Sequence, residues 1–196
     1  MEKQPKRELD ILYTPSEVQA GVQRVWAELM FQFHRADKST AMSLAIDLPI
    51  TFVGVLNGAF LFMNDLMRYV PRPDHMLGWV VCQSYRNKKK GQTHFQVSPI
   101  GLNEEMVAGR HVVLVDDICD TGDTLKHCKD YILGMRPRAA SVTTVVLLNR
   151  HFQEPKLCQP DIAAFQLMSL DFVVGYGLDW QGRYRTLPYI GKRRET

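Results

Sequence analysis

The apolar residues of this chain follow two periods in alternation. Over 15–34, Val18, Val22, Val25, Trp26, Leu29 and Phe33 recur three or four positions apart, which puts them on one face of a helix. Thr14-Pro15-Ser16-Glu17 marks its start, with Thr as N-cap, Pro at the first helical position and Glu reaching back. Residues 50–56 form a mostly apolar run too short for a helix. They predict a buried strand, with Asn57-Gly58 as the turn that leaves it. Helical spacing returns over 59–69 through Phe60, Met63, Leu66 and Met67. Further strands are predicted at 76–85, 111–115 and 141–148, and a helix over 124–133 that Gly134 ends. Strand and helix alternating in this way predict an α/β fold, a mainly parallel sheet with helices on both faces.

One stretch breaks the alternation. Residues 86–105 are polar, carry Lys88-Lys89-Lys90, Gly91 and Gly101, and are too many for a plain connection. They form either a mobile functional loop or a small hairpin.

Composition narrows the class without naming a function. With 196 residues, 45% apolar and 23% charged, the chain reads as one ordinary globular domain. A net charge of +3 and a pI near 8.7 suit a phosphorylated substrate and equally permit a nucleic-acid face. The two basic clusters, Lys88-Lys89-Lys90 and Lys192-Arg193-Arg194, read as a solvated loop and tail. Cys82, Cys119, Cys128 and Cys158 form no CxxC pair and point to reduced thiols in a cytoplasmic protein. The first 15 residues lack the apolar core of a signal peptide, and no run approaches the roughly 18 apolar residues that span a bilayer.

The chemistry concentrates at the end of the 111–115 strand. Four apolar residues run into Asp116, Asp117 and Asp120, then into the turn Thr121-Gly122-Asp123-Thr124. Carboxylates side by side repel unless a cation, hydroxyls or solvent lie between them. A Gly-containing turn that opens a helix offers N–H groups to an anion such as phosphate. Acids for a sugar beside a cradle for a phosphate suggest a phosphorylated ribose. Asn57-Gly58, Ser84-Tyr85, 116–124 and Asn149-Arg150 all fall at carboxyl ends of strands, where open parallel sheets bind ligands, so the four are expected on one rim.

The run from Val115 to Leu125, Val-Asp-Asp-Ile-Cys-Asp-Thr-Gly-Asp-Thr-Leu, resembles the phosphoribosyl-pyrophosphate signature of type I phosphoribosyltransferases. Three other stretches resemble the hypoxanthine-guanine members. They are Val55 to Arg68 at the pyrophosphate loop, the Ser84-Tyr85 pair, and Phe172 to Trp180 with Tyr184-Arg185 and Leu187 to Gly191 at the purine-binding hood. The resemblance implies the type I fold: a mostly parallel twisted sheet flanked by helices, with a small hood built from the N- and C-terminal segments. It further implies a single domain over 1–196, with a core at about 37–160, a hood at about 8–36 and 161–191, and a mobile loop at about 84–105.

The implied reaction joins a 6-oxopurine to phosphoribosyl pyrophosphate with Mg²⁺, giving a nucleoside monophosphate and pyrophosphate. By the same resemblance, Asp116 and Asp117 hold the ribose hydroxyls, directly or through Mg²⁺, and Asp120 faces purine N7 as general base. Thr121, Gly122, Asp123 and Thr124 wrap the 5′-phosphate. Asp123 is an acid where the family frequently has none, so its carboxylate is expected to point to solvent and contribute only its N–H. Asn57-Gly58 stands for the family's frequent Lys-Gly at a loop whose backbone N–H groups are exposed by a cis peptide. Arg150 aligns with a lysine that donates to the purine 6-oxo group, and its fork could serve O6 and N7. Phe172 stacks on the purine, the Val173 backbone reads its edge, Asp179 binds Mg²⁺ and Arg185 neutralises pyrophosphate. Ser84 and Tyr85 close over the site. A homodimer or homotetramer is implied by analogy alone.

Two other classes compete. A regulatory RNA-binding protein on the same fold would use the Lys triplet and the basic tail, but it needs neither the hood from Phe172 to Arg185 nor Asp120. That weighs against nucleic acid as a partner. A phosphoacceptor receiver domain also gathers acids at strand ends, yet it predicts no Thr-Gly-Asp-Thr phosphate turn.

Overall fold

The computed structural model describes residues 9–36, 49–69, 73–87, 92–151 and 155–193. Twelve elements follow in order among them: β1 (Leu9–Tyr13), α1 (Pro15–Ala36), β2 (Ile50–Leu56), α2 (Phe60–Met67), β3 (Met76–Asn87), β4 (Gln92–Ile100), β5 (His111–Cys119), α3 (Asp123–Gly134), β6 (Ser141–Arg150), β7 (Ile162–Leu167), β8 (Val173–Val174) and β9 (Ile190–Arg193).

Six strands form the main sheet in the order β4-β3-β2-β5-β6-β7. All pairs are parallel except β3 with β4. β2 and the second half of β6 are buried along their length, as apolar runs in a parallel sheet covered on both faces should be. One face packs against α1 and α2 through Val18, Val22, Leu29, Phe62 and Leu66. The other packs against α3 and the 102–107 segment through Leu102, Val107, Leu125, Cys128 and Ile132. The start of α1 follows its sequence: Thr14 N donates to Glu17 Oε2 at 2.8 Å, and Glu17 N to Thr14 Oγ1 at 3.4 Å.

A second, three-stranded antiparallel sheet, β1-β9-β8, joins the N- and C-terminal segments into the expected hood. The segments assigned to that hood also contain α1 and β7, and both of these belong to the large layer: β7 pairs with β6, and Gly21 of α1 lies against the Phe165 ring.

Two expectations are sharpened. The stretch after β3 is a hairpin, since β4 returns antiparallel with Tyr85 opposite His94 and Ser84 opposite Phe95. Lys88-Lys89-Lys90 and Gly91 lie outside the described residues. β5 continues four residues past Val115, because Asp116 and Ile118 pair with Val146 and Leu148 regardless of the acids between. No helix among the described residues is long and apolar enough to cross a membrane.

Strand order places the site. The chain steps from β2 outward to β3, then returns to the other side of β2 as β5 and proceeds to β6 and β7. The direction of winding therefore reverses between β2 and β5. The turns leaving those two strands, 57–59 and 120–122, lie at that reversal, where open parallel sheets bind ligands.

Candidate active site

A cleft of about 340 Å³ opens beside this reversal, at the ends of β5 and β6, lined by Asp117, Ile118, Asp120, Arg150, Leu170, Phe172, Val173, Leu178 and Asp179. That volume suits one small ligand. The end of β5, the end of β6 and the hood thus meet, and six of the residues singled out from sequence line the same space. Ile118, Leu170 and Leu178 had been given no role, although Ile118 and Leu178 lie inside the quoted stretches and Leu170 just before Phe172.

The acid pair is split by the alternation of a strand. Asp117 faces the cleft, while Asp116 lies behind it, 5% exposed. Asp116 Oδ1 accepts from Asp117 N at 2.9 Å, and Asp117 Oδ1 accepts from Ile118 N at 2.8 Å. Burial pushes the Asp116 carboxyl well above the ordinary range, and the charge of Asp117 adds to the rise. Burial raises Asp117 as well; the hydrogen bond from Asp116, the Ile118 N–H and the nearby Arg185 charge oppose it. Such a pair is poised for a cation or for sugar hydroxyls.

The turn after β2 closes on this pair. The Leu56–Asn57 peptide bond is cis, as the resemblance implied. Gly58 presses against the Asp117 carboxylate on one side and against Gly177 of the hood on the other.

The phosphate turn is held from beneath. Gly122 caps α3 with φ +82°, and a Cβ there would meet the Cys158 carbonyl at 2.4 Å. Leu157 N donates to Thr121 O at 3.0 Å. Thr124 lies in the first turn of α3, where backbone N–H groups have no helical acceptor and suit an anion. Lys156 escaped the sequence reading. Its Nζ donates to Cys119 O at 3.0 Å and to Asn149 Oδ1, fastening the end of β5 just before Asp120.

Three of the expected stretches engage other parts of the protein. Asp123 does not simply face solvent; its Oδ2 accepts from the Thr121 hydroxyl at 2.6 Å. Ser84 and Tyr85 lie within β3 of the hairpin and do not line the cleft; the Tyr85 hydroxyl donates to Gln83 instead. Arg150 lines the cleft, but the Nη end of its fork is engaged by the protein. Nη1 donates to Ser169 O at 2.5 Å, both Nη atoms reach Asp171 O at 3.3 Å, and Nε lies 3.1 Å from Asp120 Oδ1.

Asp179 and Arg185 are joined across the hood turn. Arg185 Nη2 is 2.7 Å from Asp179 Oδ1, Arg185 Nη1 donates to Gly177 O at 2.6 Å, and Gly182 N donates to Asp179 Oδ2 at 2.7 Å. Among the described residues, no three His, Cys, Asp or Glu side chains cluster as metal ligands, so Asp116, Asp117 and Asp179 do not form one protein cage.

Comparison with known proteins agrees with this geometry. The family model "Phosphoribosyl transferase domain" matches residues 22–180. Hypoxanthine phosphoribosyltransferase of Salmonella typhimurium is 31% identical over 188 residues, covering 95% of this chain and 96% of that protein. Hypoxanthine-guanine phosphoribosyltransferase of Aquifex aeolicus is 34% identical over 153 residues, covering 78% and 83%. Among solved structures, the hypoxanthine phosphoribosyltransferase of Trypanosoma cruzi superposes with a TM-score of 0.74 at 26% identity, covering 95% of this chain and 97% of that one. The Staphylococcus aureus enzyme, at 23% identity and a TM-score of 0.76, shares the fold over 98% and 97%.

Proposed function

Because this chain belongs to the phosphoribosyl transferase family, and within it to the hypoxanthine phosphoribosyltransferases, we propose that it salvages purines: it moves the 5-phosphoribosyl group of phosphoribosyl pyrophosphate to N9 of hypoxanthine or guanine. The observation that carries this is the single cleft in which Asp117, Asp120, Phe172 and Asp179 meet beside the Gly122 turn.

In this reading the half-exposed Phe172 ring stacks on the base, and the buried Val173 backbone reads its edge. Asp120, half exposed at the cleft, takes or shares the N7 proton as N9 attacks. Asp117, with Asp116 behind it, holds the ribose hydroxyls and favours positive charge developing on the ring. The N–H groups of 121–124 take the 5′-phosphate; those of Asn57-Gly58, with Arg185, take the leaving pyrophosphate.

Mg²⁺ suits these residues. A small hard cation is held by one or two carboxylates together with substrate phosphates, and each Asp179 oxygen has a lone pair beyond its present partner. The raised Asp116–Asp117 pair also favours a cation nearby. When bound, Mg²⁺ would offset the charge of the leaving pyrophosphate.

Free cysteines at all four positions support a reducing, cytoplasmic setting. A homo-oligomer is part of the proposal. The half-exposed Phe60 stacked on Trp79 at 5.7 Å, beside exposed Leu77 and Ile100, supports it as an apolar face.

The test is direct. Purified protein with phosphoribosyl pyrophosphate and Mg²⁺ should turn hypoxanthine or guanine into the monophosphate and release pyrophosphate. No turnover with hypoxanthine, guanine or xanthine would overturn the reading.

A further inference from the structure

Arg150 ends β6 with its residue 7% exposed. A guanidinium withdrawn from water keeps its charge at bearable cost only among acceptors. The acceptors here come from two other pieces of chain. The carbonyls of Ser169 and Asp171 belong to the turn that leads into Phe172 and Val173. Asp120 Oδ1, 3.1 Å from Nε, belongs to the residue that opens the phosphate turn. A guanidinium carries five N–H groups. Both on Nη1 and one on Nη2 are directed at the Ser169 and Asp171 carbonyls, while Nε stands beside Asp120 as an ion pair at 3.1 Å without a hydrogen bond. The Nη1–Nη2 end of the fork is thus committed to the 169–171 turn and not to a purine edge.

We infer that Arg150 is a positioning residue of the base pocket: it fastens Asp120 and the 169–171 turn to the end of β6, so that carboxylate and Phe172 ring meet the purine from fixed places. This rests on the reading of the cleft as a phosphoribosyltransferase site. The chemistry favours arginine for such work. A planar guanidinium holds two carbonyls and a neighbouring carboxylate in one fixed arrangement, which the compact, rotating ammonium of a lysine does not. Held through Oδ1, Asp120 keeps Oδ2 for the substrate proton.

A double-mutant cycle tests this with Arg150→Gln, Asp120→Asn and their combination, using Arg150→Lys as the conservative variant. In the transfer assay with hypoxanthine, Arg150→Gln should lower kcat by about 100-fold, the scale of a small misplacement at a reacting centre. KM for phosphoribosyl pyrophosphate should stay within about 2-fold. Made on the Asp120→Asn background, the same change should cost at least about ten-fold less, because its partner has already gone. Arg150→Lys should restore little of the rate although it restores the charge. An undiminished Arg150 penalty on the Asp120→Asn background, or full rescue by lysine, would overturn the inference in favour of direct contact with the base.

Thermal unfolding gives a readout that needs no substrate. The combined variant should lose less Tm than the sum of the single losses, and strict additivity would overturn the Arg150–Asp120 link. Absence of wild-type turnover alongside coupled Tm losses would instead overturn the functional reading, so the two failures are distinguishable. Should Arg150→Gln fail to fold, Arg150→Lys carries the same cycle.

Discussion

Gly58 and Asp117 fit together only because one of them is glycine: a Cβ on Gly58 would stand 1.7 Å from Asp117 Oδ2 and 2.3 Å from its Cγ. Gly177 makes the same demand from the hood, with φ +101° and room for nothing between it and the Gly58 carbonyl, which a Cβ would meet at 2.0 Å. The turn after β2, the end of β5 and the hood are thus pressed together where the sugar and the leaving group are proposed to lie. Gly58→Ala should displace the Asp117 carboxylate and cut phosphoribosyl transfer by about 100-fold. The overpacking itself should cost about 1–3 kcal/mol of stability. Steady-state kinetics beside chemical denaturation separate the two. Turnover within about 3-fold of wild type would mean that the carboxylate works equally well elsewhere.

The buried acids should make stability depend on pH in a direction opposite to that of most carboxylates. Burial, with the charge of Asp117, holds Asp116 well above its ordinary value of 3.8. An acid with a higher pKa folded than unfolded contributes all of its stabilisation below the unfolded value, and that contribution is lost as pH rises through the folded value. The substrate-free protein should therefore lose stability from this group as pH climbs above about 4. Asp116→Asn should remove that loss and raise Tm at neutral pH, by about 2–4 °C for each kcal/mol recovered. Melting curves of both proteins from acid to neutral pH check this. Parallel curves would show that Asp116 carries no such strain.

Much of this architecture was legible because its signals are local. The apolar runs at 50–56, 111–115 and 141–148 are central strands, and Thr14 and Glu17 form the capping pair that their spacing promised. The hidden parts depend on distant partners. β1 pairs with β9 across almost the whole chain, Leu9 opposite Arg193, and neither is long enough to show a period of its own. β5 runs on through Asp116 and Asp117 because backbone ladder bonds to β6 ignore side-chain polarity. Its place at a strand end and the family resemblance put Arg150 at the cleft, yet its orientation follows the carbonyls of Ser169 and Asp171, which no linear pattern encodes. Asp120 and Phe172 were found from motif alone, since each belongs to a short stretch whose residue types are constrained by one ligand.

Cys82 should be the most reactive thiol of the chain. The hydrogen bond from Cys128 brings its pKa down to about 7; the charge of His127 assists, while burial and Asp123 oppose. Cys128 is pushed far up by the same hydrogen bond and by burial, and burial also raises Cys119 and Cys158. Thiolate is the nucleophile, so alkylation of Cys82 should be half-maximal in rate near pH 7 and level off about a unit above. A short pulse of iodoacetamide followed by peptide mass spectrometry reads the order of labelling. Cys128→Ala should move the Cys82 profile upward by removing the donor. Labelling that begins at Cys119 or Cys158 would count against this ordering.

Asp123 competes with the phosphate that its own turn is proposed to bind. The Thr121 hydroxyl donates to Asp123 Oδ2 at 2.6 Å, so its proton is committed inside the turn. The Asp123 N–H approaches Thr121 Oγ1 at 3.4 Å in return, and the carboxylate sits in the first turn of α3. An acid is favourable there while the helix N-terminus has no other anion, and unfavourable once a phosphate arrives. Asp123→Ala frees the hydroxyl and removes the charge. Affinity for inosine or guanosine monophosphate should then rise about 5-fold at low salt, the effect of about 1 kcal/mol. The gain should shrink as ionic strength rises and the Debye length falls to about 8 Å at physiological salt. The free protein should meanwhile lose about 0.3–1 kcal/mol of stability with the favourable helix interaction. Calorimetric titration at two salt concentrations decides the matter. Weaker nucleotide binding by Asp123→Ala at low salt would mean that the Thr121–Asp123 bond shapes the turn for phosphate, which is the reverse of competition.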